Sequence, residues 1–184
     1  IDKRYNKGDK QMFKLFKKQY FFIFYKKHKN WFNYISMCLF FISSILFLFL
    51  PKFFPLLLDY SHRWELFNGS AGSAKSYFIT QKLIVRACRE PIKILVCRRY
   101  GSTIRNTCFS LFKRILAKWQ LTPYVKIRET DFNIKFPNGS EIIFLGLDEE
   151  TKLLSLDGIG CIFVEEVFEV EKPKVEQVNL RLRG

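Results

Sequence analysis

Residues Gly69-Ser70-Ala71-Gly72-Ser73-Ala74-Lys75-Ser76 constrain this chain more than any other stretch. Small residues let successive backbone N–H groups turn inward around an anion. A lysine and a hydroxyl directly afterwards place a cation and a metal ligand beside that anion. The spacing is that of the phosphate-loop pattern G-x-x-x-x-G-K-[ST], with Ala74 where the second glycine is expected. All eight residues are therefore candidates for nucleotide binding. Lys75 is expected to reach the β- and γ-phosphates and Ser76 to ligate Mg²⁺. The extra methyl of Ala74 is tolerable if that residue keeps an ordinary negative φ.

The flanks suit the loop. Arg63-Trp64-Glu65-Leu66-Phe67 reads as a short, partly apolar strand. From Tyr77 to Arg89, Phe78, Ile79, Leu83, Ile84 and Ala87 supply one apolar face of a helix. Strand, small-residue loop, Lys-Ser and helix is the setting a phosphate loop requires, with the helix N-terminus aimed at the phosphates. The competing reading is a Gly/Ser/Ala turn that happens to precede a lysine.

The rest of the chain alternates. Pro91 to Cys97 reads as a buried strand with Arg98-Arg99 at its C-terminal end, and Ser102 to Trp119 as a helix. Val125 to Arg128 is a short strand. Phe132 to Phe136 alternates, Pro137-Asn138-Gly139 turns, and Glu141 to Leu145 returns, which predicts a hairpin. Asp148 to Leu156 is a helical or turn segment, Gly160 to Val164 an apolar strand, and Pro173 onward a last helix. The pattern predicts an α/β domain with a mainly parallel sheet flanked by helices, plus an inserted hairpin.

Cys161-Ile162-Phe163-Val164-Glu165-Glu166 supplies a second chemical constellation: an apolar strand running into two acids. Ligands sit at the carboxyl ends of parallel strands in such sheets. One carboxylate holds Mg²⁺ together with the loop serine, and the other polarises the attacking water. Glu165 is assigned to the metal and Glu166 to the water. The bland alternative is a solvated strand end. Arg98, Arg99 and Arg105 follow the neighbouring strand and are candidates for the γ-phosphate, a neighbouring subunit or DNA, or are simply surface charge.

The 184 residues allow one ordinary domain with an appendage, and 48% hydrophobic content argues against global disorder. The net charge of +14 suits a polyanionic partner. Residues 1–60 hold eleven Lys/Arg against three Asp/Glu. Five cysteines form no C-x-x-C pair, and neither His28 nor His62 has ligand spacing. Cys88, Cys97 and Cys161 sit within apolar stretches and are read as small core residues of a protein in a reducing compartment. Residues 1–52 form a separate segment in which 30–51 carry no charge and Tyr34 to Leu50 is nearly all apolar. Three readings stay open for it: a membrane anchor with a cytoplasmic N-terminus, a buried helix, or spurious upstream translation. The start at Ile1 and the end just after a helix-like run are read as a fragment at both ends.

From about Phe53 to Gly184 the chain resembles the ATPase domain of the large terminase subunit of tailed bacteriophages. The resemblance rests on Phe54-Pro55-Leu56-Leu57, Asn68 through Ser76, Ile94 through Arg99, Pro137 through Asp148, Phe163-Val164-Glu165-Glu166 and Asn179 through Gly184. The loop is shared by many NTPases, whereas the hairpin run and the closing Asn-Leu-Arg-Leu-Arg-Gly are far more specific. The resemblance implies a P-loop NTPase of the ASCE type that binds ATP and Mg²⁺ and packages double-stranded DNA. It implies a homo-oligomeric ring, a portal protein and a small terminase subunit as partners, and the host cytoplasm as location. It raises the artefact reading of residues 1–50 over the anchor. A Glu-Glu pair is usual there, while Ala71 stands where many relatives carry Arg. The coupling motif and the nuclease domain are expected to lie outside this chain. A helicase-like ATPase and a membrane-anchored nucleotide-binding protein remain alternatives.

Overall fold

The computed structural model describes residues 51–70 and 72–182. The expectations for Tyr34–Leu50, Cys38, His28, Ala71 and the final Arg183-Gly184 fall outside those residues. The chain divides into two compact units, Ile1–Arg63 and Trp64–Gly184. In the first, Pro51–Leu56 forms a 3-10 turn, and Asp59 accepts hydrogen bonds from the Ser61 backbone and hydroxyl. No helix among the described residues is long and apolar enough to cross a membrane.

The second unit runs α1 (Lys75–Arg89), β1 (Lys93–Arg98), α2 (Gly101–Ile104), a π-helical segment (Arg105–Phe109), α3 (Ser110–Lys118), β2 (Lys126–Arg128), β3 (Asn133–Lys135), β4 (Glu141–Gly146), α4 (Glu150–Ser155), β5 (Ile159–Val164) and α5 (Lys172–Asn179). The sheet order is β2-β3-β4-β1-β5. β1 is central and pairs in parallel with both β4 and β5. Its Ile94-Leu95-Val96-Cys97 run is buried throughout, as expected of a strand covered on both faces. The predicted hairpin is present as β3 and β4. It does not stand apart from the parallel sheet, because β4 is also the parallel neighbour of β1, and β2 extends the sheet antiparallel to β3.

On one face, Leu95 and Cys97 join Leu145, Leu147, Leu153, Ile159, Val170 and Val178 in a buried cluster under α4 and α5. On the other, Phe144 packs edge-on against Phe109 and Phe112 at centroid distances of 5.0 Å, and α1 packs on α3 and β1. The hairpin tip ties this side together. Asn138 Nδ2 donates to Ala87 O at 2.8 Å, and Ser140, fully buried, donates to Glu90 O at 2.7 Å and accepts from Ile92 N. The Pro-Asn-Gly-Ser turn therefore closes the end of α1 as well as the hairpin.

The strand predicted at Arg63–Phe67 does not form, and residues 64–70 lack regular structure. A strand needs a hydrogen-bonded neighbour, and the sheet ends at β5 without including this segment. Side chains anchor it instead. Glu65 accepts from Lys82 of α1 through both oxygens, at 2.7 and 2.6 Å, and Phe67 packs edge-on against Phe78 at 5.6 Å. Lys82 is only 6% exposed, so the carboxylate is what makes its burial tolerable.

Candidate nucleotide site

Among the described residues of the loop, three have positive φ: Gly69 at 159°, Gly72 at 77° and Ala74 at 60°. The first is close to extended, whereas Gly72 and Ala74 occupy the left-handed region. Gly72 suits its place because it has no Cβ. Ala74 does not, and the condition for easy tolerance of its methyl, an ordinary negative φ, is not met. It immediately precedes α1 with φ 60° and ψ 19°, a conformation costing a residue with a Cβ about 1–2 kcal/mol. The missing glycine of the pattern is thus missing where glycine is most useful.

Lys75 folds back over the loop. Its ammonium donates to Gly69 O at 2.5 Å, Ser70 O at 2.9 Å and Ser73 Oγ at 2.9 Å. The lysine thus satisfies two loop carbonyls and a hydroxyl, so the loop is organised by its own cation. No side chain caps the N-terminus of α1, which leaves a helix end suited to an anion.

At the far end of β5, sheet pairing carries through Glu165, whose N–H donates to Cys97 O at 2.9 Å. The chain then turns sharply at Glu166, which has φ 53°. Both acids have partners from the strand and helix that neighbour them. Arg98, at the end of β1, donates through Nη2 to Glu166 Oε2 in a direct ion pair. Cys108, in the π-helical segment, donates through Sγ to Glu165 Oε2 at 2.7 Å. Burial pushes the Cys108 thiol well above its usual range, and the adjacent Glu165 carboxylate pushes it further. The thiol therefore keeps its proton and serves as donor. Glu165 Oε1 accepts no hydrogen bond among the described residues.

The turn between β1 and α2 is held close to β4. Gly101 N donates to Asp148 Oδ1 at 2.9 Å, and Leu147 N donates to Arg98 O at 2.9 Å. A Cβ at Gly146 would run into the Gly101 backbone nitrogen and the Asp148 carboxylate. This explains the Gly146-Leu147-Asp148 run physically: it lets two backbones meet beside Arg98 and Arg99.

The structure thus joins Arg98, Glu165 and Glu166 into one cluster. Arg99 and Arg105 are directed elsewhere. Arg99 stacks over Tyr100 at 4.9 Å, and Arg105 lies 5.6 Å from the Phe132 ring and 3.9 Å from Glu129. Among the described residues, no hydrogen bond or ion pair links Lys75 or Ser76 to either acid. Cys108, Asp148 and the Glu65–Lys82 pair escaped the sequence reading. None belongs to a spacing motif, and Cys108 had no local signal distinguishing it from an ordinary apolar helix residue. Cys88, Cys97, Cys108 and Cys161 are free thiols, and the described residues contain no cluster of three or more His, Cys, Asp or Glu that could hold a metal.

The family model for the phage terminase large subunit matches residues 61–184. The chain is 31% identical over 133 residues to the PBSX phage terminase large subunit of Bacillus subtilis (strain 168), covering 72% of this chain and 31% of that one. It is 27% identical over 113 residues to the terminase large subunit of Bacillus phage SPP1, covering 59% of this chain and 27% of that one. The fold is similar to that of the large terminase from a thermophilic bacteriophage, with a TM-score of 0.53 at 16% identity, over 63% of this chain and 30% of that one. The chain therefore spans less than a third of these relatives' lengths. Its fold is the α/β P-loop NTPase fold, and the chain belongs to the phage terminase large subunit family.

Proposed function

We propose that this chain is the ATP-hydrolysing motor part of a phage terminase large subunit, coupling hydrolysis to movement of double-stranded DNA into a procapsid. The observation that carries the reading is the pairing of two features in one fold. A lysine-organised loop leads into an uncapped helix N-terminus, and two carboxylates stand at the C-terminal end of a parallel strand.

The donor set fits a divalent cation bound with a nucleotide. The Ser76 hydroxyl and Glu165 Oε1 are oxygen ligands of the kind Mg²⁺ takes, with phosphates supplying others. Bound there, Mg²⁺ would offset charge on the β- and γ-phosphates. The loop N–H groups and the start of α1 cradle the phosphates. Lys75 exchanges its three loop contacts for phosphate oxygens, which neutralises charge that grows in the transition state. Glu166 orients the attacking water and accepts its proton. It can do so once its carboxylate is released from Arg98, which then has a free guanidinium beside the reacting phosphate. Arg99 is a weaker candidate for that place, because it rests on Tyr100.

The net charge of +14 supports contact with DNA phosphates. A ring of copies, a portal protein, a small terminase subunit and the host cytoplasm belong to the same proposal. The test is ATP turnover by the protein with and without duplex DNA over a range of salt. Turnover that rises with DNA of any sequence and loses this stimulation as salt increases is expected. Turnover that ignores DNA at every salt concentration would overturn the motor reading while leaving a nucleotide hydrolase.

A further inference from the structure

The helix following β1 is not regular. Between α2 and α3 it widens into a π-helical segment, Arg105–Phe109. Hydroxyl groups account for this locally. Thr107 Oγ1 donates back to Thr103 O at 2.9 Å, and Ser110 Oγ donates to Asn106 O at 2.7 Å and Thr107 O at 3.0 Å. Such back-bonding bends helices, and single π turns inside α-helices concentrate at functional sites. Cys108 lies in this turn, 2% exposed, with its sulfur 2.7 Å from Glu165 Oε2. The Thr107 hydroxyl lies 3.7 Å from the same sulfur, but its proton goes to Thr103 O, and the thiol proton goes to the carboxylate.

We propose that Cys108 is a positioning residue for Glu165: its thiol holds Oε2, so that Oε1 remains available to the divalent cation. The inference rests on the assignment of Glu165 to the metal in the proposed function. A buried cysteine ordinarily acts as a small apolar residue. Here it faces a carboxylate oxygen of the half-buried Glu165, and truncating it would remove that oxygen's donor. Partners that orient a metal ligand typically account for about 10–100-fold in metal affinity. The π turn would then exist to aim this one side chain, while Phe109 beside it stays in the core against Phe132 and Phe144.

Two readouts test the proposal without relying on turnover. The first is the S–H stretching band of Cys108 in the protein without nucleotide, isolated by subtracting the spectrum of Cys108→Ala. It is expected at the low frequency of a strong donor and to return to that of an unbonded thiol in Glu165→Ala. The second is Mn²⁺ affinity in the presence of ADP, followed by the electron paramagnetic resonance of free Mn²⁺. Cys108→Ala is expected to weaken Mn²⁺ binding about tenfold or more, with ADP affinity in the absence of metal unchanged. Cys108→Ser, which keeps an O–H donor, is expected to stay close to the parent. Equal losses in both variants, accompanied by equal falls in melting temperature, would mean that the thiol only packs. An S–H band indifferent to Glu165→Ala, with Mn²⁺·ADP binding intact, would sink the positioning role alone. Absence of Lys75-dependent Mn²⁺·ADP binding in the parent would sink the nucleotide site and this inference with it.

Discussion

Residues 69–70 and 72–76 hold their shape through contacts between near neighbours, whereas Glu165 and Glu166 are held by side chains 57 and 68 positions away. In the loop, Lys75 bonds residues two to six positions before it, and the backbone supplies the turn. At the acidic end, β5 delivers the carboxylates, but Arg98 and Cys108 orient them from β1 and the π turn. The difference means that one half of the proposed site depends on local backbone geometry and the other on the sheet being assembled. Damage to the loop should therefore be felt as lost binding. Damage to the acid end should be felt as lost chemistry, or as lost chemistry together with lost stability.

The largest expected effect separates those halves directly. Glu166→Gln should lower ATP turnover by about 10²–10⁴-fold, the usual contribution of a general base, with nucleotide affinity nearly unchanged in a fluorescent-nucleotide titration. Equal losses of affinity and turnover would break the division. Lys75→Ala should show the reverse emphasis. Removal of a charge-assisted contact worth about 1.5–3 kcal/mol predicts nucleotide binding weakened by about 10–100-fold. Binding at parental strength would mean that Lys75 only braces the loop.

Gly146→Ala is the next probe, because it attacks the acid end through its scaffold. The new methyl meets backbone at Gly101, which cannot move without shifting the turn beyond Arg98. A loss of about 1–3 kcal/mol in denaturant unfolding is expected from overpacking, together with reduced turnover. Full stability in this variant would contradict the close approach of β4 and α2. The smallest effect is expected at Ala74→Gly. Relief of the left-handed alanine should stabilise the protein, by at most about 1–2 kcal/mol. Glycine's greater freedom in the unfolded chain takes back part of the gain. A thermal melt that falls in this variant would show that the alanine is not strained.

Much of the architecture was legible because it rests on short-range patterns. The alternation of Phe132 to Phe136, the Pro-Asn-Gly turn, the apolar run of β1 and the periodicity of α1 all appeared where expected. The segment 63–67 failed for a physical reason. Its apolar character suits a strand, but a strand is a property of a pair, and residues 64–67 found their partners in the side chains of α1. The sequence reads Ser102 to Trp119 as one helix, where the structure has three consecutive helical pieces from Gly101 to Lys118. The π turn was not anticipated, because hydroxyl groups at ordinary helical positions reveal their back-bonding only once the carbonyls are placed.

The sequence by itself determined the chemistry on offer: a small-residue loop of the phosphate-loop spacing with lysine and serine at its end, two acids after an apolar strand, and arginines after another. Those are local facts, since each depends on residue type and spacing along a few positions. Only the tertiary structure decided how that chemistry is arranged. It joined Arg98 to Glu166 and turned Cys108 onto Glu165. It did so because β1 lies directly beside β5, which brings the ends of two strands distant in the chain to a single edge of the sheet.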